Sequence, residues 1–125
     1  MLNHLSLGVA DLRRSLVFYD AAFAPLGYHR LWSKEGAAGY GTSGGDEPFA
    51  IKQETQKGNL GSSPRSHFAF TAKTRDQVIA FHEAALKNGG TDLGRPGLRP
   101  HYGETYFAAF VSDPDGYHLE AVCHC

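Results

Sequence analysis

The chain is poor in cysteine, carries no surplus of basic residues and contains no long apolar run. Its 125 residues include only two cysteines, which lie two positions apart at the end, a spacing that is poor for a stabilising disulfide. We therefore expect a reducing, cytoplasmic setting. The formal net charge of −1 gives no basic surface for nucleic acid or for an anionic membrane.

The N-terminal segment also lacks the features of export and of membrane insertion. It has a polar residue at position 3 and no long apolar stretch, so we expect neither a signal peptide nor a membrane span. A chain that is 42% hydrophobic and 20% charged is typical of a folded globular protein. The length suits a single domain, 1–125.

What the sequence does contain is an internal repeat. Residues 4–28 align without a gap on residues 67–91, and both copies begin with alternating apolar residues and then change to helical spacing. The alignment pairs His4 with His67, Phe18 with Phe81, Ala21 and Ala22 with Ala84 and Ala85, and Gly27 with Gly90. The repeat predicts a fold built by duplication.

Local signals set the ends of the two predicted helices. Asp11 is a plausible N-cap of the first, and Pro25 and Gly27 end it. Thr74 and Gln77 have the spacing of a capping box at the start of the second helix, and residues 88–90, Asn-Gly-Gly, are a favourable C-cap.

Strand signals follow each predicted helix. They cover residues 29–33, 39–43 and 49–54 in the first copy, and 105–112 and 117–124 in the second, where residues 94–103 have the composition of a Gly/Pro/Arg-rich loop. Residues 113–116, Asp-Pro-Asp-Gly, predict a turn. The order is therefore βαβββ twice, an α+β fold with module 1 at about 1–55, a linker at 56–66 and module 2 at about 67–125.

Strand parity places three polar side chains on one face. In both first strands the apolar residues point towards the helix, so His4 and His67 are expected together on the opposite, concave face. Glu120 shares that face if Leu119 and Ala121 pack on the helix. Cys123 and Cys125 then lie with the packing residues, and we interpret the Cys-His-Cys tail as the end of a strand.

Two histidines and a carboxylate suit a divalent metal with open coordination positions, such as Zn, Fe, Mn, Ni or Co. A cation also explains a carboxylate within an apolar strand, because a buried carboxylate without a partner is costly. The alternative for each histidine is an ordinary strand residue with no ligand role.

The chain resembles the vicinal oxygen chelate superfamily, which contains glyoxalase I, bleomycin and fosfomycin resistance proteins and extradiol dioxygenases. Residues 4–28, 67–70 and 110–122 carry the resemblance. It implies paired βαβββ modules that form a curled mixed sheet around a cavity, with metal ligands at His4, His67 and Glu120.

The family's fourth ligand position falls at about Lys52, where glyoxalase I enzymes usually have a carboxylate. A protonated lysine cannot bind a metal, so ordinary glyoxalase activity is not expected. A shift of the alignment by two residues would bring Glu54 to that position, and the number of ligands stays open.

Several other residues are candidates for substrate chemistry. A proton transfer needs a base, for which a metal-bound water, His101, His118 and Tyr106 are candidates. Arg99 and Lys52 could meet an anionic substrate. For strand 105–112, a five-residue turn places Tyr106, Ala108 and Phe110 beside Glu120, whereas a four-residue turn places Phe107 and Ala109 there; we expect the first.

The resemblance implies a small metal-dependent lyase, isomerase or dioxygenase that acts on an oxygen-rich or aromatic small molecule by electrophilic catalysis. The alternative is a metal-free protein of the bleomycin-resistance type that sequesters its ligand. A third is a non-catalytic relative in which Lys52 replaces the metal and pairs with Glu120. A homodimer is expected, with the site in one chain or shared between two.

Overall fold

Residues 1–46, 48–56, 60 and 65–125 are described by a computed structural model of the chain. In chain order the elements are β1 (Leu5–Val9), α1 (Leu12–Phe23), a short 3-10 helix (Ala24–Leu26), β2 (His29–Lys34), β3 (Ala37–Gly41), β4 (Phe49–Gln53), β5 (Phe68–Thr71), α2 (Arg75–Lys87), β6 (Thr91–Leu98), β7 (Tyr106–Ser112) and β8 (His118–His124). The predicted α+β fold with βαβββ twice is confirmed. Most of the predicted linker, 56–66, lies outside the described residues.

The strands form two four-stranded sheets of the same topology. Sheet A has the order β1-β4-β3-β2, and sheet B has the order β5-β8-β7-β6. In each sheet the first strand pairs in parallel with the last, and the other neighbours are antiparallel. The first strand of each repeat therefore lies at a sheet edge, beside the last strand of its own module.

The predicted caps position both helices. The Asp11 side chain accepts from the Arg14 backbone N–H, and the Thr74 side chain accepts from the Gln77 backbone N–H. The Gln77 side chain in turn accepts from the backbone N–H of Lys73, one residue before the usual capping-box partner. Each helix thus begins with orphan N–H groups satisfied, and it follows a strand that is directly preceded by a predicted histidine ligand.

Both sheets contribute to a single core. Leu7, Ile51 and Ala38 form one row on the helix side of sheet A, and Phe70, Ala121 and Ala109 form one on sheet B. All six belong to one hydrophobic cluster or pack against it, together with Phe23 and Phe81 of the helices. Because the helix sides of both sheets share this core, the opposite faces look outward.

Polar contacts join the β7–β8 turn to the first module. The buried Tyr19 hydroxyl donates to Asp113 at 2.5 Å, Arg14 pairs with Asp115 at 3.0 Å, and the Tyr117 hydroxyl donates to the Gly8 carbonyl at 2.8 Å. The turn therefore ties the second sheet to α1 and β1.

The prediction of a loop at 94–103 is wrong for the first part of that range, because β6 covers Thr91–Leu98 as the edge strand of sheet B. Its pairing with β7 shifts register around Gly94 and again before Gly97. Bulges and an edge position accommodate the glycines and Pro96, which cannot donate to a ladder. Composition alone therefore indicated a loop. The strand predicted at 39–43 also begins earlier, at Ala37.

The side chains of Cys123 and Cys125 lie together at the end of the chain, with Cα atoms 5.4 Å apart, so the two positions can be bridged. A bond between them would close only a very short loop, so the expectation that this spacing does not give a stabilising disulfide stays a prediction, as does the compartment. Among the described residues, no helix is long and apolar enough to cross a bilayer.

Candidate functional site

The outer face of sheet B holds a histidine–carboxylate pair. Nε2 of His67, the residue before β5, lies 3.1 Å from Oε1 of Glu120 in β8. The Glu120 side chain is only 1% exposed, whereas the His67 side chain is 48% exposed. The pairing follows from the parallel register, in which Ala69 stands opposite Glu120, so that His67 lies on the same side two residues earlier.

Tyr106 holds the other oxygen of this carboxylate. Its hydroxyl donates to Oε2 of Glu120. Burial and this hydrogen bond to Glu120 raise the pKa of Tyr106 to about 12. At neutral pH the phenol therefore remains a donor, and the alternative role of Tyr106 as a general base is not favoured.

The length of the turn before β8 decides which residues of β7 face Glu120. Five residues separate Ser112 from His118, and these two residues pair across the strands. In this register Phe110 stands opposite Glu120. The expectation that Tyr106, Ala108 and Phe110 lie beside the carboxylate is confirmed.

Arg99 and Phe110 extend this face towards β6. The Arg99 guanidinium lies 5.5 Å from the centroid of the Phe110 ring and donates to the Arg95 carbonyl at 2.7 Å. The Phe110 ring is itself 6.2 Å from the His67 ring, between centroids. Arg99 is thus connected to the pair through an aromatic side chain, and part of its hydrogen-bonding capacity is used locally.

His101 and His118 are less directly connected to Glu120. His101 is exposed, and the centroid of its ring lies 4.1 Å from that of Tyr102 in a tilted arrangement; Tyr102 in turn contacts Tyr106. His118 is half-buried on the Glu120 side of β8, opposite Ser112. Their roles as bases stay predictions.

The outer face of sheet A forms a separate cavity of about 400 Å³. It is lined by Asn3, His4, Ser6, Trp32, Lys34, Asp46, Ala50 and Lys52. Lys52 therefore lines the same cavity as His4, on the face that its alignment with a ligand position implies. Sequence reasoning missed Trp32, Lys34 and Asp46.

The alternation in residues 29–34 places Trp32 and Lys34 on one side of a strand, which was the available signal for them. It does not say which side, because the pairing of β2 with β3 shifts register between Arg30 and Trp32. The β2 face could therefore not be assigned from the sequence.

Two of the predicted metal ligands fit a divalent cation, and the third is not beside them in one chain. His67 Nε2 and Glu120 Oε1 present an imidazole and a carboxylate donor close together. Within the described part of the chain, however, no three His, Cys, Asp or Glu side chains gather to hold a metal. His4 borders the sheet A cavity, and its Nδ1 lies 2.7 Å from the Asn3 side-chain oxygen.

The two residues proposed for the fourth position also do not join the pair. A lysine that replaces the metal would have to pair with Glu120. The partners of the Glu120 carboxylate in the described structure are instead His67 and Tyr106, and Lys52 is not among them. The Glu54 carboxylate instead accepts from the backbone N–H groups of Thr55 and Gln56, each at 2.9 Å. Glu54 thus caps the end of β4 locally.

Comparisons with known proteins agree with this architecture. The model of the Glyoxalase/Bleomycin resistance protein/Dioxygenase superfamily matches residues 1–121. A search of curated proteins gave no match.

Solved structures give the same result. A glyoxalase/bleomycin resistance protein from Albidiferax ferrireducens T118 is 31% identical, with a TM-score of 0.83 and 96% of each chain covered. A glyoxalase-related enzyme from Fulvimarina pelagi is 20% identical, with a TM-score of 0.76 over 98% of this chain and 87% of its own. The E144Q mutant of glyoxalase I from Zea mays is 25% identical, with a TM-score of 0.66, and this chain covers 46% of it. The chain belongs to the Glyoxalase/Bleomycin resistance protein/Dioxygenase superfamily.

Proposed function

We propose that the protein is a metal-dependent enzyme of the vicinal oxygen chelate type, a lyase, isomerase or dioxygenase of an oxygen-rich or aromatic small molecule. The observation that carries the proposal is the pair of His67 and Glu120, whose donor atoms lie 3.1 Å apart on an outer sheet face. Imidazole and carboxylate are suitable ligands for Zn, Fe, Mn, Ni or Co.

The third ligand in this proposal is His4 of a second copy of the chain. Sheets A and B share one core through their helix sides, so their outer faces are directed away from that core. A homodimer that sets the outer face of sheet A against the outer face of sheet B of its partner would unite His4 with the pair. Such a two-fold arrangement creates the site twice.

The chain's own residues then have distinct tasks. A bound divalent cation would supply Lewis acidity towards the oxygens of a substrate. Tyr106 fixes one oxygen of Glu120, which leaves the other directed at His67. Phe110 and Ala108 form an apolar surface beside the carboxylate and restrict water on that side. His118 and His101 remain the candidates for proton transfer.

Metal content tests the proposal directly. The purified protein is loaded in turn with each of the five metals, desalted and measured by elemental analysis. We expect about one equivalent per chain for the wild type and a large loss for Glu120→Gln, which keeps the shape of the side chain and removes its charge. Glu83→Gln, on the exposed face of α2, is the control. Less than about 0.2 equivalents of every metal in the wild type would refute a metal enzyme.

Mixed dimers test the sharing of the site. His4→Ala and Glu120→Gln chains are each expected to bind metal poorly. Refolded together in equal amounts, half of the dimers carry both chains, and one of their two sites is complete, so about one quarter of the wild-type metal returns. A mixture that binds no more metal than either variant would contradict sharing between chains.

A metal-free binding protein is the second candidate, and the sheet A cavity favours it. Its volume of about 400 Å³ suits a small ligand, and its lining includes a tryptophan and two lysines in addition to His4. Ligand binding that persists unchanged after removal of metal, together with no turnover of any substrate, would support this candidate over the enzyme.

A further inference from the structure

The floor of the sheet A cavity is made of small residues. One row across the strands contains Lys34, Ala37, Lys52 and Gly8, and the next contains Trp32, Gly39, Ala50 and Ser6. The two central strands of the sheet, β3 and β4, contribute Ala37 and Lys52 to the first row and Gly39 and Ala50 to the second. At least one central position in each row therefore has a side chain no larger than a methyl group. The long side chains thus stand on both sides of a low floor, which creates the space.

Trp32 depends on the absence of a side chain at Gly39. A Cβ atom added at Gly39 would lie 2.1 Å from Nε1 of the indole, so the ring rests directly on the backbone of β3. Lys34 is held beside this ring, with Nζ 5.4 Å from the ring centroid. The cation–π contact places a positive charge next to an aromatic wall.

The two lysines of the cavity, Lys34 and Lys52, have no ion-pair partner among the residues that the structure describes. Asp46 also lines the cavity and contributes one negative charge against the two positive ones. Among the described lining residues, the two lysines therefore outnumber the single acidic residue, and their exposed ammonium groups flank the Ala37 position.

We propose that this cavity binds a small organic carboxylate, with its oxygens between Lys34 and Lys52 and its apolar body against Trp32. A carboxylate accepts hydrogen bonds from both ammonium groups and relieves their mutual repulsion. This inference deepens the proposed function and rests on it in one respect: the cavity is taken to be the substrate side of the shared site, because it borders His4. The contacts to the carboxylate come from sheet A alone.

The fluorescence of Trp32 reports on this cavity, because it is the only tryptophan of the chain. The metal-stripped wild-type protein is titrated with benzoate, with its neutral analogue benzamide, and with acetate, which has the charge without the ring. We expect a saturable change in emission with benzoate, and binding at least about tenfold weaker for both other probes. Equal affinity for benzoate and benzamide would overturn the proposal.

Two variants of the lysines complete the test. Lys34→Gln and Lys52→Gln should each weaken benzoate binding by about tenfold or more and leave benzamide binding unchanged. Lys87→Gln, whose side chain lies on α2 in a surface ion pair, is the matched control. If neither cavity variant differs from this control, Lys34 and Lys52 do not recognise the carboxylate.

The two proposals fail in different ways. Benzoate binding that requires both lysines, in a protein that takes up no metal, would retain the carboxylate site and refute the metal enzyme. Stoichiometric metal uptake with no preference for benzoate over benzamide would retain the enzyme and refute the carboxylate site.

Discussion

At the scale of single residues, the buried carboxylate of Glu120 is satisfied from two sides. Its side chain is 1% exposed, with His67 at one oxygen and the Tyr106 hydroxyl at the other. A buried carboxylate without such partners would be strongly destabilising. The fold therefore accommodates a buried carboxyl group by giving each of its two oxygens a partner.

Tyr106→Phe removes one of these partners. We expect the free energy of unfolding to fall by about 1.5–3 kcal/mol, because a hydrogen bond to a charged group is lost while the carboxylate stays buried. Urea unfolding at neutral pH measures the change.

Tyr102→Phe is the matched control for this measurement. It removes the same atom from a tyrosine that is 62% exposed and that contacts the ring of Tyr106. Equal stability losses for the two variants would show that the Tyr106 hydroxyl does not support Glu120.

Parity predicted which residues accompany Glu120, and this part of the site could be read from the sequence. The alternation in β8 and the five-residue turn place Phe110 opposite the carboxylate as expected. The lining residues Trp32 and Lys34 could not be predicted. The register of β2 shifts after Arg30, so the alternation of its residues does not indicate which face of the sheet each side chain occupies.

At the scale of elements, the turn between β7 and β8 is a junction rather than a simple reversal. The Asp113 carboxylate accepts from the Tyr19 hydroxyl of α1 and from the backbone N–H groups of Asp115 and Tyr117. Burial nevertheless raises the pKa of Asp113 above its ordinary value of 3.8, although these hydrogen bonds act in the other direction. A helix and a turn from different modules thus meet at a titrating group.

This junction predicts a pH dependence of stability. Because the folded-state pKa of Asp113 is raised, the folded chain holds the proton more tightly than the unfolded chain does. From its ordinary value of 3.8 up to the raised pKa, this residue's contribution to stability should fall as the pH increases. Urea unfolding is measured from pH 3.5 to 7. Across that window the free energy of unfolding of the wild type should decline relative to that of Asp113→Asn.

The comparison needs a carboxylate that lies outside the junction. Asp76→Asn, in the exposed first turn of α2, should leave this part of the pH profile of the wild type unchanged. Parallel profiles for the wild type and Asp113→Asn would exclude the junction as the titrating group.

Element types could largely be predicted from the sequence, because caps and hydrophobic period agree in both helices. The strand β6 could not, since its glycines and Pro96 indicate a loop when no partner is known. Only the pairing of β6 with β7 makes this segment a strand, with the irregular positions accommodated at a sheet edge.

At the scale of the whole molecule, the shared core decides how the predicted ligands are distributed. Parity correctly separates the helix side from the outer side of each sheet, but it carries no information about how two sheets are arranged in space. The expectation that His4 joins His67 on one concave face therefore stays a prediction, which we assign to two chains.

A homodimer predicts that thermal stability depends on concentration. If two chains associate through the outer faces of their sheets, the unfolding midpoint of the metal-free protein should rise as the chain concentration increases, because association favours the folded state by mass action. Differential scanning calorimetry over a hundredfold range, about 1 to 100 μM, measures this. A midpoint that stays constant, with monomers in sedimentation experiments, would speak against the dimer.

The two edges of each sheet differ in the regularity of their strand pairing. The pairings that contain the outer edge strands β2 and β6 shift register, whereas the parallel pairings of β1 and β5 run without a shift. Irregular edges resist the addition of further strands, which is how natural sheets avoid open-ended aggregation. Strand addition is therefore obstructed at β2 and β6. A dimer that forms through the outer sheet faces, as proposed above, leaves these two irregular edges exposed but protected from further strands.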